Sequence, residues 1–358
     1  MTTNLMQASR QWANRPADQR FKTLSDLRHA VHERRTASRS VDLDINTIHA
    51  ESRDNTIVLN SGISACEPSH WAFGQFSAMI GAPAHYLRKL PSDLAVACIN
   101  DGIKKCPREA SKFMTVVDRD GLRPNTLQAV TSPTYGRIWD ADCVDAVQRI
   151  VDRTNGKFHN PLAYDRNTGA PVPSGLYASD RDVFMFMIDG GSRLEVGPRA
   201  KLNRGFFVWN SETGSKTFGL MTFLFNEVCG NHIVWGAQNI NKLVIRHSKN
   251  GPTRFDSDAA PMLQQYAEAS IANDEATIKR AMERLLPKGD ELETLVAPFR
   301  FTKFELREAM NAAIKEEGEC RTLWDLVQGF TAYAREFDYV DTRIELEKRA
   351  GQLLNLVA

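Results

Sequence analysis

The chain has 358 residues, 42% of them hydrophobic, enough to bury a large core in one or two domains, so general disorder is set aside. Its 45 Lys and Arg against 44 Asp and Glu leave a formal charge of +1, so any nucleic-acid surface must be local. No stretch approaches the roughly 18 apolar residues of a membrane helix, the N-terminus MTTNLMQASRQW lacks a signal-peptide core, and six scattered cysteines without a CxxC pair read as reduced thiols, so the cytoplasm is the expected compartment.

Residues 1–60 read as a polar, Arg-rich arm: a frayed helix, a flexible segment or a strand that pairs with a neighbouring subunit. Ser69 to Ile80 places Trp71, Phe73, Phe76, Met79 and Ile80 at helical spacing behind a Ser69 cap, and a short helix follows from Ala84 to Leu90, stopped by Pro91. The second helix is too short and too mixed for a recognition helix, so the pair is expected to pack. TLQAVTS reads as a strand leading to Tyr135, and Asp140 to Arg153 as a helix with Val144, Val147, Ile150 and Val151 on one face.

Five short aromatic and β-branched runs follow: Val183–Ile188, Gly205–Trp209, Thr217–Phe225, His232–Trp235 and Leu243–Arg246. Gly, Asn, Ser and Asp separate them, which predicts an antiparallel sheet with short connections and a hairpin loop at Asn210–Gly214. The last third has helical periodicity around Ile278–Leu286, Phe304–Ile314, Leu323–Ala334 and Ile344–Val357. The expected fold is therefore α+β: a central antiparallel sheet flanked by N-terminal helices and a C-terminal helical region. Residues 61–254 form the expected core and 255–358 an acidic helical region.

No Walker loop, GxGxxG, GxSxG, HExxH or EF-hand pattern occurs, so none of the common catalytic classes is indicated and no cofactor is expected. Glu227, Cys229 and His232 in NEVCGNH come nearest to a metal trio, but in a strand His232 falls beyond the Gly230 kink. Cys229 then reads as a small buried hydrophobe and no metal is expected.

Charge is uneven. Between Arg181 and Arg254 ten basic residues face five acidic ones, whereas from Phe255 onward thirteen face twenty. Arg199, Lys201 and Arg204 precede Phe207 and Trp209, and Arg246, Lys249 and Arg254 follow the last strand. Cations that neutralise phosphates, interleaved with rings that stack bases, are how single-stranded nucleic acid is held. The alternative is that the rings lie in the core and the cations in ordinary loops.

FGQFSAMIGAPAHYLRKLPSDLAVACIN at Phe73–Asn100 resembles the opening of a family of phage- and plasmid-encoded bacterial proteins of unknown function. In order, Ala129–Ser132 through Tyr135, Ser179-Asp180-Arg181, Val228-Cys229-Gly230-Asn231, Arg246-His247-Ser248 and Thr322–Tyr333 agree with it. The resemblance implies a role for a mobile element. A looser architectural likeness to single-strand annealing recombinases of the Red-beta, RecT and Erf kind implies a non-enzymatic protein that forms rings or filaments on single-stranded DNA. Single-stranded DNA and further copies of the chain are thus the expected partners. The alternatives are a module that inhibits a host defence protein through Glu316, Glu317 and Glu319, and a metal-dependent nucleic-acid-processing enzyme using Glu227, Cys229 and His232.

Overall fold

The computed structural model describes residues 16–61, 65–107, 110–117, 125–164, 171–195, 201–226, 231–233, 242–269, 272–337 and 340–358. In chain order, strand β1 (Arg20–Phe21) leads to helix α1 (Leu24–Ala37), then to β2 (Ser38–Asp44), β3 (His49–Arg53), β4 (Thr56–Asn60) and β5 (Ala65–Pro68). Helices α2 (His70–Met79), α3 (Ala84–Leu87) and α4 (Ser92–Lys105) precede β6 (Ala110–Val116), β7 (Asn125–Thr131) and α5 (Asp140–Arg153). The strand-rich middle holds β8 (Phe158–His159), β9 (Leu162–Tyr164), β10 (Pro171–Pro173), β11 (Leu176–Ala178), β12 (Val183–Glu195), β13 (Lys201–Asn210), β14 (Phe218–Asn226), β15 (Asn231–Ile233) and β16 (Lys242–Ile245). Then come α6 (Gly251–Arg254), a π turn at Phe255–Ala259, α7 (Ala260–Glu268), α8 (Ala272–Glu283), α9 (Asp290–Val296), α10 (Lys303–Glu317), α11 (Leu323–Ala334) and α12 (Val340–Gln352).

The fold is α+β, and the expected antiparallel sheet is present in the order β1-β11-β12-β13-β14-β15, with β16 also on β14 and β8 on β12. The Ser69 hydroxyl caps α2 by accepting from the Ala72 amide at 3.1 Å, and the 210–214 stretch is the β13–β14 turn. The arm expected over residues 1–60 is corrected from residue 20 onward. β1 joins the central sheet, α1 packs Leu24, Leu27 and Val31 into its core, and β2 to β4 belong to a second sheet ordered β2-β6-β7-β5-β4-β3. In that sheet only the β5–β7 pair is parallel.

Side-chain alternation divides the central sheet into two different faces. Val183, Met185, Met187, Phe206, Val208, Phe218 and Leu220 pack beneath α1, α5 and α7. On the same face, Leu202 and Leu224 join the core of helices α8 to α12. The second sheet has its own core with α2 and α4, built on Phe76, Ile99, Phe113 and Leu127. Among the described residues no helix is long and apolar enough to cross a membrane.

Candidate functional site

The opposite face of the central sheet explains what became of the predicted stacking rings. Phe207 is 7% exposed and Trp209 half-buried, and they belong to a continuous row. Tyr177 stacks on Phe184 at 5.2 Å, Phe184 on Phe207 at 5.6 Å, Phe207 on Trp209 at 5.4 Å and Phe186 on Phe223 at 4.5 Å. Two of these rings lie over glycines on the neighbouring strand. Trp209 pairs with Gly219 and Phe223 with Gly205, and a Cβ on either glycine would fall 1.9 Å or 2.2 Å from the ring. Phe207 and Trp209 are therefore corrected from base-stacking groups to packing groups.

Arg204 is corrected as well. It shares a face with Phe206 and Val208, is 2% exposed, and donates to the Ala269 carbonyl at 2.7 Å and to the Tyr266 carbonyl. Its guanidinium lies 4.3 Å from the Tyr266 ring centre and 3.9 Å from the Asp274 carboxylate, out of reach of any phosphate. Lys201 is exposed at the start of β13; Arg199, with Glu227 and Cys229, lies outside the described residues, while the His232 backbone pairs with Phe225. Among the described residues no cluster of three His, Cys, Asp or Glu is placed to hold a metal. Glu316 is tied to Arg335, and Glu319 lies 3.6 Å from Arg321.

Arg246, Lys249 and Arg254 remain exposed, on the segment from β16 through α6, and this segment is firmly held. Gly136, after β7, approaches it so closely that a Cβ would sit 2.0 Å from the Ser248 carbonyl oxygen, and the Gly136 amide donates to the His247 carbonyl at 3.1 Å. The His247 ring stacks on Tyr135 at 5.0 Å and lies against the Gly136 and Lys216 backbones. Its Nδ1 accepts from the Ile138 amide at 3.3 Å, which places the proton of the neutral ring on Nε2. Three loops thus meet: 132–139 after β7, 211–217 between β13 and β14, and 246–250 after β16. Lys112 reaches the Tyr135 carbonyl at 3.3 Å, and Lys216 pairs with Asp182 at 3.0 Å.

Where these loops meet lies a buried polar joint. The Tyr135 hydroxyl donates to the Ser211 carbonyl at 3.1 Å and Arg137 to the Glu212 carbonyl. The Asp140 amide donates to Glu212 Oε2 at 3.1 Å, and Asn210 Nδ2 donates to Asp140 Oδ1 at 2.8 Å. From α2, Trp71 Nε1 and Gln75 Nε2 both donate to the Thr213 carbonyl, at 3.1 and 2.9 Å, while Gln75 Oε1 accepts from the Val130 amide at 2.9 Å. The hairpin loop of one sheet is in this way bolted to a helix and a strand of the other.

Asp140 and Glu212 are 1% and 2% exposed. Burial raises both acids, Asp140 well above the carboxylate range with Glu212 raising it further, while Arg34 and Arg137 oppose the rise of Glu212. The pair keeps a proton where exposed carboxyls have lost theirs. Burial lowers His247 to about 4, so the ring is neutral. Cys143, buried on α5, is pushed upward by burial and is no thiolate nucleophile. The described residues of the joint offer firmness rather than a nucleophile. No family model, no curated protein and no solved structure matches this chain.

The joint's residues carry little sequence signal. Asp140 reads as a helix start and Glu212 as a turn residue, 72 positions apart. Arg204 was more legible, since strand parity alone groups it with Phe206 and Val208.

Proposed function

We propose that the protein binds nucleic acid without transforming it, holding the phosphates of a single strand on the collar formed by Lys216, Arg246, Lys249 and Arg254. The observation that carries this reading is that the loops bearing the exposed Lys216, Arg246 and Lys249, with Arg254 on the helix that follows, are anchored by Gly136, Tyr135 and the Asp140–Glu212 joint. A preset cationic surface loses little entropy on meeting a polyanion. Arg254 pairs with the exposed Asp258 at 3.3 Å, a surface pair that costs little to exchange for phosphate, whereas Lys216 is held at 3.0 Å by the buried Asp182. With Phe207 buried and Trp209 half-buried in the ring row, the reading rests on charge more than on stacking. A role in strand annealing for a phage or plasmid belongs to the same proposal and rests on the sequence resemblance.

Fluorescence anisotropy with a labelled single-stranded oligonucleotide at two salt concentrations tests it. The native chain is expected to bind at low salt and to weaken as salt rises. Replacing Arg246, Lys249 and Arg254 by alanine together should lower the salt slope by about 2, from about 0.7 per lost phosphate contact on a single strand. Absence of binding at low salt, or an unchanged slope in the triple variant, overturns the proposal.

A further inference from the structure

β2 is an edge strand of the second sheet, and its residues Arg39 to Asp42 are exposed, with Val41 at 49%. Its register on β6 runs from Ser38↔Val116 to Asp44↔Ala110. The Val117 amide donates to the Ala37 carbonyl at 3.0 Å, which fixes the phase of the ladder. Arg39, Val41 and Leu43 therefore direct their amides and carbonyls toward β6, and Ser40 and Asp42 direct theirs outward. At the ends, the Ser38 amide is bonded to the Arg35 carbonyl and the Asp44 carbonyl accepts the Thr47 hydroxyl at 2.7 Å. Ser40 and Asp42 thus present two donors and two acceptors at an edge that no described strand covers.

We infer that this edge pairs antiparallel with β2 of a second copy, about a twofold axis through Val41, joining two six-stranded sheets into one. Phase leaves few registers. Only pairings that set even positions against even ones exchange hydrogen bonds, so the axis passes through Ser40, Val41 or Asp42. An axis at Asp42 opposes two carboxylates, and one at Ser40 sets Val41 against Arg39. An axis at Val41 gives Ser40 opposite Asp42 twice, a hydroxyl facing a carboxylate, with four backbone hydrogen bonds. It also brings Val41 against its twin in the close, non-hydrogen-bonded position.

Three features favour this occupant. Val41 is an apolar residue half exposed on an edge, where natural sheets usually place charge. It borders an apolar cavity of about 80 Å³ with Leu43, Ile48, Cys66 and Phe113, so a second isopropyl group extends an existing apolar surface. Lys112, opposite Asp42 on β6, balances the charge that the axis brings together. The inference does not depend on nucleic-acid binding.

Sedimentation velocity of the purified chain from micromolar to submillimolar concentration is expected to show a monomer of 40.2 kDa passing to a dimer. Ser40→Pro removes one outward amide while leaving the β6 ladder intact, so it should remain monomeric with an unchanged circular dichroism spectrum. If that variant misfolds, Val41→Lys serves instead, since an edge lysine blocks pairing, and should weaken association at least tenfold. Register is tested by Val41→Cys, which places two thiols across the axis within disulfide reach. Mild oxidation should give a crosslinked dimer, mapped to residue 41 by mass spectrometry, and Asp42→Cys should not. A native chain that stays monomeric, a dimer that survives Ser40→Pro and Val41→Lys, or failure of Val41→Cys to crosslink overturns the inference.

Discussion

At the level of single residues, Asp140 and His247, which accepts from the Ile138 amide two residues before Asp140, answer pH in opposite senses. Burial, reinforced by Glu212, raises Asp140, so the folded chain binds a proton that the unfolded chain releases near the ordinary carboxylate range of about 4. That contribution is complete below the unfolded value and is lost as pH climbs through the folded one. His247, lowered to about 4 by burial, works the other way. The unfolded ring takes a proton below about 6.5, so its contribution is lost as pH falls from there toward 4. Asp140→Asn keeps an acceptor for the Asn210 amide and removes the first effect only. Urea unfolding at pH 5 and pH 8 should show the variant gaining on the native chain at the higher pH. Equal gaps at both values would mean that Asp140 is ionised in the folded state.

At the level of elements, β13 and β14 show how a sheet face is finished by what is absent. Gly219 sits beneath the Trp209 indole and Gly205 beneath Phe223, so each ring covers the backbone that its glycine leaves bare. Gly219→Ala has to lift the indole and disturb the stack onto Phe207, at a cost of about 1–3 kcal/mol, the usual range for overpacking. A lower urea midpoint together with red-shifted tryptophan emission would register it, and a midpoint equal to the native one would place the ring elsewhere. This pairing also shows what could be read without coordinates. The aromatic strands, the Ser69 cap and the Asp140–Arg153 helix follow from local composition and spacing and appear over the described residues, which carry the His232–Trp235 run only to Ile233. Which ring faces which core does not, because two-residue alternation groups Phe207 with Trp209 without naming the face that is covered. Of the second sheet only β7, the TLQAVTS strand, is legible in the sequence, for a related reason. β2 reads Ser-Arg-Ser-Val-Asp-Leu-Asp, an edge strand with few apolar residues, and β3 is nearly as polar. α1 contributes only Leu24, Leu27 and Val31 to the core, a stripe too thin to stand out among its arginines.

At the level of the whole molecule, three cores need mechanical connection, and polar side chains supply it at two places. The hairpin loop held by Trp71, Gln75, Arg137 and Asp140 joins the two sheets. Arg204 joins the central sheet to α7 and to the start of the C-terminal helices, since Leu202 and Leu224 beside it belong to one core and Phe206 and Tyr266 to another. Its charge is neutralised partly by Asp274 and satisfied by the carbonyls of Tyr266 and Ala269, which lie at and just beyond the end of α7, where a cation complements the helix dipole. Arg204→Met keeps the length of the side chain and leaves those buried carbonyls without their donor, which should cost about 3 kcal/mol, the scale for breaking a buried charge pair. The same substitution separates the two roles open to an arginine in a basic segment. As an internal tie, its loss lowers the urea midpoint and leaves the salt slope of oligonucleotide binding unchanged under conditions where the variant is folded. As a phosphate contact, its loss would lower the slope by about 0.7 and leave the midpoint where it was. Measuring both quantities on one protein preparation distinguishes them, and the burial of the guanidinium commits the prediction to the first outcome.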